Sequence, residues 1–268
     1  NFGWKSLSLV GQISAEFNTE LHKWLQREFH NPTAQAVESG GGAQDAVLEA
    51  LMNRWFQGED TVTSKALQDQ LHVSHPTVTA VMKRLESLTF LERTGDRKFH
   101  LRLFPRSEFF RWLLQRQVAR PTLKFDRTFG EGRPIPQMIE RLVKLNLPNV
   151  AIGGTVGAAF HYPRLELVGT PRLDLMIAGA PGKVDLGFVQ KLDPILDTVA
   201  DSKWTGKLAL HFLGGRPQPW QVLEDGLRYA DPLHCMADLH QIGLVSQMHE
   251  MLDGLLQRAE ANRKKQGR

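Results

Sequence analysis

Residues Val73–Leu103 read VSHPTVTAVMKRLESLTFLERTGDRKFHLRL, and their hydrophobic period changes partway along the stretch. As far as Leu88 the apolar residues recur every three or four positions, which is typical of an amphipathic helix. From Phe90 onward they alternate with polar residues, and Gly95 breaks the alternation where a hairpin turn would fit. The stretch therefore predicts a helix followed by a two-stranded hairpin.

Two further helices are predicted before this stretch. One runs from Asp45 to Phe56, and a short one follows Thr63 or Ser64, either of which can cap it by accepting from a free N–H group of the first turn. Ser74 is predicted to cap the helix of the opening stretch, and Pro76 suits the first turn because its missing N–H costs little there. The order helix, helix, turn, helix, hairpin is the winged-helix plan, in which the last helix enters the major groove of DNA.

The predicted recognition helix divides into two faces. Its inner face is expected to be core and holds Val78, Val81, Leu85 and Leu88. The outer face and the hairpin hold the candidate DNA-binding residues, which are Ser74, His75, Pro76, Thr77, Thr79, Ala80, Lys83, Arg84, Arg93, Arg97 and Lys98. Small side chains at the front allow close approach to base edges, whereas Lys and Arg reach phosphates. For His75, a base contact and a solvent-exposed position remain equally open.

This stretch resembles the winged helix of MarR-type regulators. The matching positions are Ser74, Thr77, Val78, Thr79, Leu85, Glu86, Arg93 and Gly95, and the resemblance extends over about sixty residues. It implies a DNA-binding function. The alternative is a winged helix used only for protein contacts, against which the basic residues on the outer face argue.

Composition sets bounds on the rest of the chain. With 268 residues, two domains are expected. Between Lys83 and Arg133 there are thirteen Lys or Arg residues and six Asp or Glu residues, which suits a phosphate-binding surface. The only cysteine, Cys235, rules out an internal disulfide and favours a reducing compartment. Neither a signal peptide nor a membrane-length apolar run is seen, and the chain begins at Asn1 without Met. We predict a cytoplasmic, nucleoid-associated protein with no membrane partner.

The predicted fold class is α+β, with a winged helix-turn-helix domain followed by an α/β domain. Residues 1–42 are predicted as an N-terminal helix with a Gly-rich linker, residues 43–120 as the winged-helix domain, and residues 134–268 as the second domain. The Pro- and Gly-rich segment at 130–136 marks the boundary between the last two.

The second domain contains a Gly-Gly-Thr segment, Gly153 to Thr155, after a short apolar run. Glycines before a helix let backbone N–H groups approach a phosphate, and a strand with Asp174 at its centre follows about twenty residues later. This order resembles that of nucleotidyltransferases, and the resemblance implies that the second domain is an α/β nucleotidyltransferase-like domain. An active transferase needs two carboxylates one residue apart on that strand, but the positions beside Asp174 are Arg172 and Met176.

We therefore predict a degenerate site and no enzymatic activity. The vestigial nucleotide site would comprise Gly153, Gly154, Thr155 and Asp174, with no catalytic residue, no metal and no cofactor. A third acid from Asp185 or Asp193 would not restore the missing pair. The alternative is a plain Gly-Gly turn in an unrelated α/β domain.

The C-terminal segment YADPLHCMADLHQIG adds a second resemblance. Together with the winged helix and the incomplete transferase pattern, the chain resembles AbiEi-type antitoxins of type IV toxin–antitoxin systems, through Ala230, Asp231, Pro232, Asp238 and Leu239. The resemblance implies a DNA-binding repressor with a toxin encoded nearby. A metal site at Asp231, His234, Asp238 and His240 is the weaker interpretation, because Asp231 suits a helix N-cap and His234 with Asp238 an ordinary surface pair.

We thus predict a transcriptional regulator, an antitoxin-type repressor that binds double-stranded DNA as a homodimer. The alternatives are an active nucleotidyltransferase with an accessory winged helix, and a replication or partition protein of a plasmid or other mobile element. The sequence also predicts a helix over residues 1–30, whose apolar stripe is a candidate dimer contact.

Overall fold

A computed structural model describes residues 41–59, 61–95, 98–127, 129–167, 172–200, 204–214 and 220–266. The helix predicted over residues 1–30 lies outside these ranges. Residues 44–268 form one compact unit. The helices are α1 (Gly41–Gln57), α2 (Ser64–Leu71), α3 (His75–Ser87), α4 (Arg106–Ala119), α5 (Ile135–Leu145), α6 (Gly154–His161), α7 (Phe188–Leu192), α8 (Pro232–Gln241) and α9 (Val245–Gln266).

The strands belong to two sheets, so the fold is mixed α and β. Three strands, β1 (Thr61–Thr63), β2 (Leu91–Thr94) and β3 (Lys98–Leu101), form an antiparallel sheet in the order β1-β3-β2. The larger sheet has the order β7-β4-β8-β6-β5-β10-β9. Its strands are β4 (Thr122–Arg127), β5 (Val150–Ile152), β6 (Leu173–Ile177), β7 (Leu196–Thr198), β8 (Leu208–Phe212), β9 (Gln221–Val222) and β10 (Arg228–Tyr229).

The helix and the hairpin predicted from the opening stretch are both present, as α3 and β2–β3. Thr63 caps α2 as predicted, with its hydroxyl oxygen accepting from the N–H of Ala66 at 3.1 Å. Ser74 occupies the N-cap position of α3 but makes no capping hydrogen bond, because its hydroxyl lies 2.9 Å from that of Thr77 instead. Leu88 was predicted to be core but is 43% exposed, since it follows the last residue of α3.

The small sheet and α1 to α3 enclose a core of their own. The inner face of α3 packs there through Val78, Val81, Met82 and Leu85, with apolar residues of α1, the hairpin and Val62. Each large apolar side chain that is fully buried in this way stabilises the folded state by about 2 kcal/mol. The outer face of α3 is therefore left to solvent.

The central strands of the larger sheet, β5, β6 and β8, are buried on both faces. Side chains of β6 alternate between the faces, so that Leu173, Leu175 and Ile177 pack with α5 and α7 in one core. Met176 belongs instead to the second core, with residues of α1, α4, α6, α8 and α9. Asp174 shares the face of Met176 and so points toward the second core.

The predicted boundary at 130–136 does not coincide with the start of the large sheet. Strand β4 lies before residue 134, yet it pairs with β7 and β8 of that sheet. Proline and glycine content marks a loop but does not indicate which strands the loop connects. The division into domains at 120 and 134 stays a prediction.

No helix among the described residues is long and apolar enough to cross a membrane.

Candidate functional site

The outer face of α3 and the β2–β3 hairpin, which we call the recognition surface, contain the predicted DNA contacts. Thr77 and Thr79 are half-buried, and Arg97 lies outside the described residues. The exposed members are Ser74, His75, Pro76, Ala80, Lys83, Arg84, Arg93 and Lys98. The structure thus brings ten of the predicted residues to one helix and the adjoining hairpin.

Hydroxyl and imidazole groups at the front of α3 contact one another. The Ser74 hydroxyl oxygen lies 2.9 Å from that of Thr77, and the Thr79 hydroxyl oxygen lies 3.5 Å from Nδ1 of His75. These exposed groups combine donors and acceptors with methyl groups, which is the chemistry that reads base edges in the major groove.

The Gly-Gly-Thr segment forms the turn from β5 into α6. The N–H of Gly153 donates to the carbonyl of Asp174 at 2.8 Å, which joins the turn to the neighbouring strand β6. Gly154 has a φ of 56°, and a Cβ placed there would lie 2.2 Å from Oδ2 of Asp174. Only glycine allows the backbone to approach this carboxylate so closely. Thr155 is half-buried in the first turn of α6.

Asp174 is fully buried and accepts hydrogen bonds from two side chains. Nε of Arg172 lies 2.8 Å from each carboxylate oxygen, and Nε2 of His211 lies 2.8 Å from Oδ1. Burial by itself would raise the pKa of Asp174, but the hydrogen bond from His211 and the charge of Arg172 lower the pKa to about 2. Asp174 is therefore an ionised carboxylate.

A second buried carboxylate, Asp238, lies in the same place. It comes from α8, and its Oδ2 accepts from the N–H of Gly154 at 2.7 Å. Its Oδ1 pairs with the guanidinium of Arg120, whose side chain is 5% exposed, and lies 3.8 Å from Nε2 of His211. The turn amide that we predicted for a phosphate is thus occupied by a carboxylate of the chain itself.

These five residues form a cluster of matched charges, which we call the acid–arginine cluster: Asp174, Asp238, Arg120, Arg172 and His211. Two carboxylates face two guanidiniums, and His211 lies between the carboxylates with its Nδ1 3.0 Å from the Thr122 hydroxyl. A buried charge is tolerated only when it is paired in this way.

One prediction about this region is wrong. The pair His234 and Asp238 was expected on the surface, but both side chains are buried, and His234 Nδ1 lies 2.6 Å from Asp231 Oδ2 instead. Asp231 does cap α8 as predicted, accepting from the N–H groups of Leu233 and His234. Asp231 pairs with His234, whereas Asp238 pairs with Arg120. The residues weighed as a metal site, Asp231, His234, Asp238 and His240, therefore do not form one cluster.

The other acids considered for the transferase site lie elsewhere. Asp193 accepts from the backbone N–H of Arg133 at 2.8 Å, and Asp185 accepts from that of Gly187 at 2.8 Å. Neither reaches the acid–arginine cluster. Sequence reasoning missed His211, although a histidine inside the apolar strand LALHF is a signal, since a buried polar side chain needs a partner.

Three members of the cluster offer atoms that could hold a metal ion. Ligand atoms of Asp174, His211 and Asp238 all lie within 4.8 Å of one another. Two carboxylates and an imidazole are a plausible ligand set for a divalent ion. A metal would compete with Arg120 and Arg172 for the carboxylates, so binding requires these guanidiniums to move to another anion, such as a phosphate group.

Comparison with known proteins gives little more. No family model matches the chain, and no curated protein matches it. Among solved structures, the chain is similar to the crystal structure of the Megavirus polyadenylate synthase, with 10% sequence identity and a TM-score of 0.31 over 99% of this chain and 78% of that one. A likeness at this score carries no argument about function.

The prediction that this chain is not an enzyme is wrong. It rested on the view that Asp174 was the last carboxylate of the site, whereas Asp238 supplies a second one from α8, with His211 between them. Because the pair is assembled from distant segments, the spacing of acids along β6 could not indicate it.

Proposed function

We propose that this chain is a transcriptional regulator that binds double-stranded DNA through the recognition surface. The observation that carries the proposal is the division of α3: Val78, Val81, Met82 and Leu85 are buried, while the opposite face exposes small polar and cationic side chains beside a hairpin. Such a helix can enter the major groove while the hairpin reaches the backbone or minor groove.

The finer form of this proposal is an antitoxin-type repressor. Its support is the sequence resemblance at Ala230, Asp231, Pro232, Asp238 and Leu239. Two of these residues have a structural role: Asp231 caps α8, and Asp238 accepts a hydrogen bond from the turn amide of Gly154. A homodimer on a two-fold operator and a toxin encoded nearby are the partners that this form proposes.

A mobility-shift assay with DNA from upstream of the chain's own coding sequence tests the proposal. In the presence of excess random DNA, the chain should still shift one fragment of the upstream DNA. Thr77→Trp with Thr79→Trp should abolish that preference while residual binding stays sensitive to salt, because base contacts specify and phosphate contacts do not. If the double variant keeps the wild-type preference, α3 is not the reading element.

The second candidate function is nucleotidyl transfer at the acid–arginine cluster. It is favoured by one observation, the pairing of two carboxylates with His211 beside the Gly-Gly turn. In this proposal Asp174, Asp238 and His211 hold a divalent ion, while Arg120 and Arg172 move onto the phosphates. The ion would neutralise charge that develops on the α-phosphate of the transferred nucleotidyl group and on the pyrophosphate that leaves.

Calorimetry with ATP, GTP and CTP, each with and without Mg²⁺ or Mn²⁺, tests this second candidate. Metal-dependent binding in the micromolar range that is lost in Asp174→Asn would support it. Labelled-nucleotide transfer measured on the same samples separates binding from turnover, and a chain that shows neither removes the candidate.

A further inference from the structure

The four cations of the recognition surface within the described residues fall into two classes. Arg84 and Arg93 have carboxylate partners, Glu108 and Glu86 respectively. No carboxylate of the described residues lies within 4.0 Å of the Lys83 or Lys98 ammonium group. Lys83 and Arg84 are neighbours on one helix, but adjacent helical side chains point in directions about 100° apart, and it is Arg84 that reaches Glu108 of α4.

The partner of Arg84 is a buried residue. Nη2 of Arg84 lies 3.0 Å from Oε2 and 3.3 Å from Oε1 of Glu108, which is in the first turn of α4 and whose side chain is 6% exposed. Nη1 of Arg111 contacts the same Oε2 at 2.8 Å. The pKa of Glu108 is raised, because the effect of burial outweighs the lowering effect of the charge of Arg84.

Moving Arg84 to a DNA phosphate would therefore leave a carboxylate without one of its cations, whereas moving Lys83 would not. Glu108 would lose one of its two cations while it stays out of water, and a buried carboxylate without full pairing is costly. The exposed pair of Arg93 and Glu86 is different, because both side chains are partly in solvent and such pairs are weak.

We infer that Glu108 is a positioning residue that withholds Arg84 from DNA phosphates and ties α3 to α4, so that Lys83 makes the phosphate contact of this helix. The inference rests on the proposed DNA-binding function. It replaces the expectation from sequence that Lys83 and Arg84 contribute alike.

The test measures how the affinity of the full chain for a labelled random duplex of about 20 base pairs falls with salt. Each phosphate contact adds about 0.9 to the slope of log affinity against log salt. Lys83→Ala should flatten the slope by about one contact, and Arg84→Ala should leave it unchanged. Arg84 is 53% exposed, so both variants alter solvent-facing positions of one helix and serve as matched controls.

Glu108→Gln gives the complementary arm. Releasing Arg84 should steepen the slope by about one contact, and the double variant Arg84→Ala with Glu108→Gln should return it to the wild-type value. Glu86→Gln controls for loss of a negative charge near the DNA and should change the slope by less than one contact.

Equal flattening by Arg84→Ala and Lys83→Ala would overturn the inference, and this comparison decides even if Glu108→Gln fails to fold. Failure of the wild-type chain to bind the duplex at any salt concentration would overturn the proposed function itself. The two failures are therefore distinguishable.

Discussion

At the scale of single residues, the acid–arginine cluster contains the most buried arginine–carboxylate pairs of the described residues. Arg120 and Asp238 are 5% and 0% exposed, whereas the pair of Arg106 and Asp253 is about half exposed on both sides. Breaking a buried pair leaves the remaining charge without water or a partner. Replacing the aspartate by alanine should therefore lower the free energy of unfolding much more in the buried pair than in the exposed one.

Asp238→Ala should destabilise the fold by about 3–5 kcal/mol, since Arg120 would be left buried and the N–H of Gly154 would lose its acceptor. Asp253→Ala, the matched control, should cost less than about 1 kcal/mol. Urea unfolding followed by circular dichroism measures both. Equal costs would mean that the cluster is open to solvent.

The cluster and the α8 cap also predict how stability depends on pH. The pKa of Asp174 and that of Asp231 are each lowered from 3.8 to about 2, the latter because the charge and hydrogen bonds of His234 outweigh the effect of burial. A lowered pKa stabilises the fold at pH values above 3.8, and this contribution is lost as the pH falls from about 4 toward 2.

Each lowered pKa corresponds to about 2 kcal/mol of stability. We expect the free energy of unfolding to decline steeply between pH 4 and pH 2, and Asp231→Asn should lessen that decline. Unfolding by urea at a series of pH values provides the measurement. A variant that declines as steeply as the wild type would show that Asp231 is not the group responsible.

At the scale of elements, the turn from β5 into α6 is fixed by close approach of the backbone to a carboxylate. Gly154→Ala should destabilise by about 2–4 kcal/mol, through strain at a positive φ and a Cβ that would lie 2.2 Å from Asp174 Oδ2. Gly182→Ala is the control, because Gly182 has a φ of 76° but a Cβ placed there would meet no neighbouring side chain or backbone atom within 4 Å. This substitution should cost only about 1 kcal/mol. Similar losses in thermal unfolding would show that the crowding at Gly154 is unimportant.

The elements differ in how well the sequence predicted them. Period and capping residues predicted α2, α3 and the β2–β3 hairpin, because such signals act within a few residues of the chain. The C-terminal segment from Pro232 onward forms two helices, α8 and α9, because Gly243 adopts a φ of 83° between them. The pairing of Asp238 with Gly154 could not be predicted, since it joins segments 84 residues apart and has no local pattern.

At the scale of the whole molecule, α4 contacts both candidate sites. Glu108 in its first turn holds Arg84 of α3, and Arg120, just after its last residue, pairs with Asp238. Phe109, Trp112 and Leu113 of the same helix are buried in the core shared with α8 and α9. The helix that pairs with Arg84 of the recognition surface is therefore itself packed in a hydrophobic core.

The oligomeric state is a prediction from sequence alone. The predicted apolar stripe consists of Val10, Ile13, Phe17, Leu21, Trp24 and Leu25. It is our candidate dimer contact, and the alternative is that it packs within one chain. Sedimentation should show a dimer for the full chain and a monomer for a chain lacking residues 1–40. An unchanged state after truncation would exclude this segment from the interface.

The central claim, that α3 and the β2–β3 hairpin contact DNA, is tested most directly by hydrogen exchange of the wild-type chain with and without an upstream duplex that it retains. The account predicts slower exchange at amides of residues 74–88 and 91–101 in the complex, with β5, β6 and α6 unchanged. Protection confined to 150–177, with residues 74–101 unaffected, would contradict it and would place the nucleic acid at the Gly-Gly turn instead.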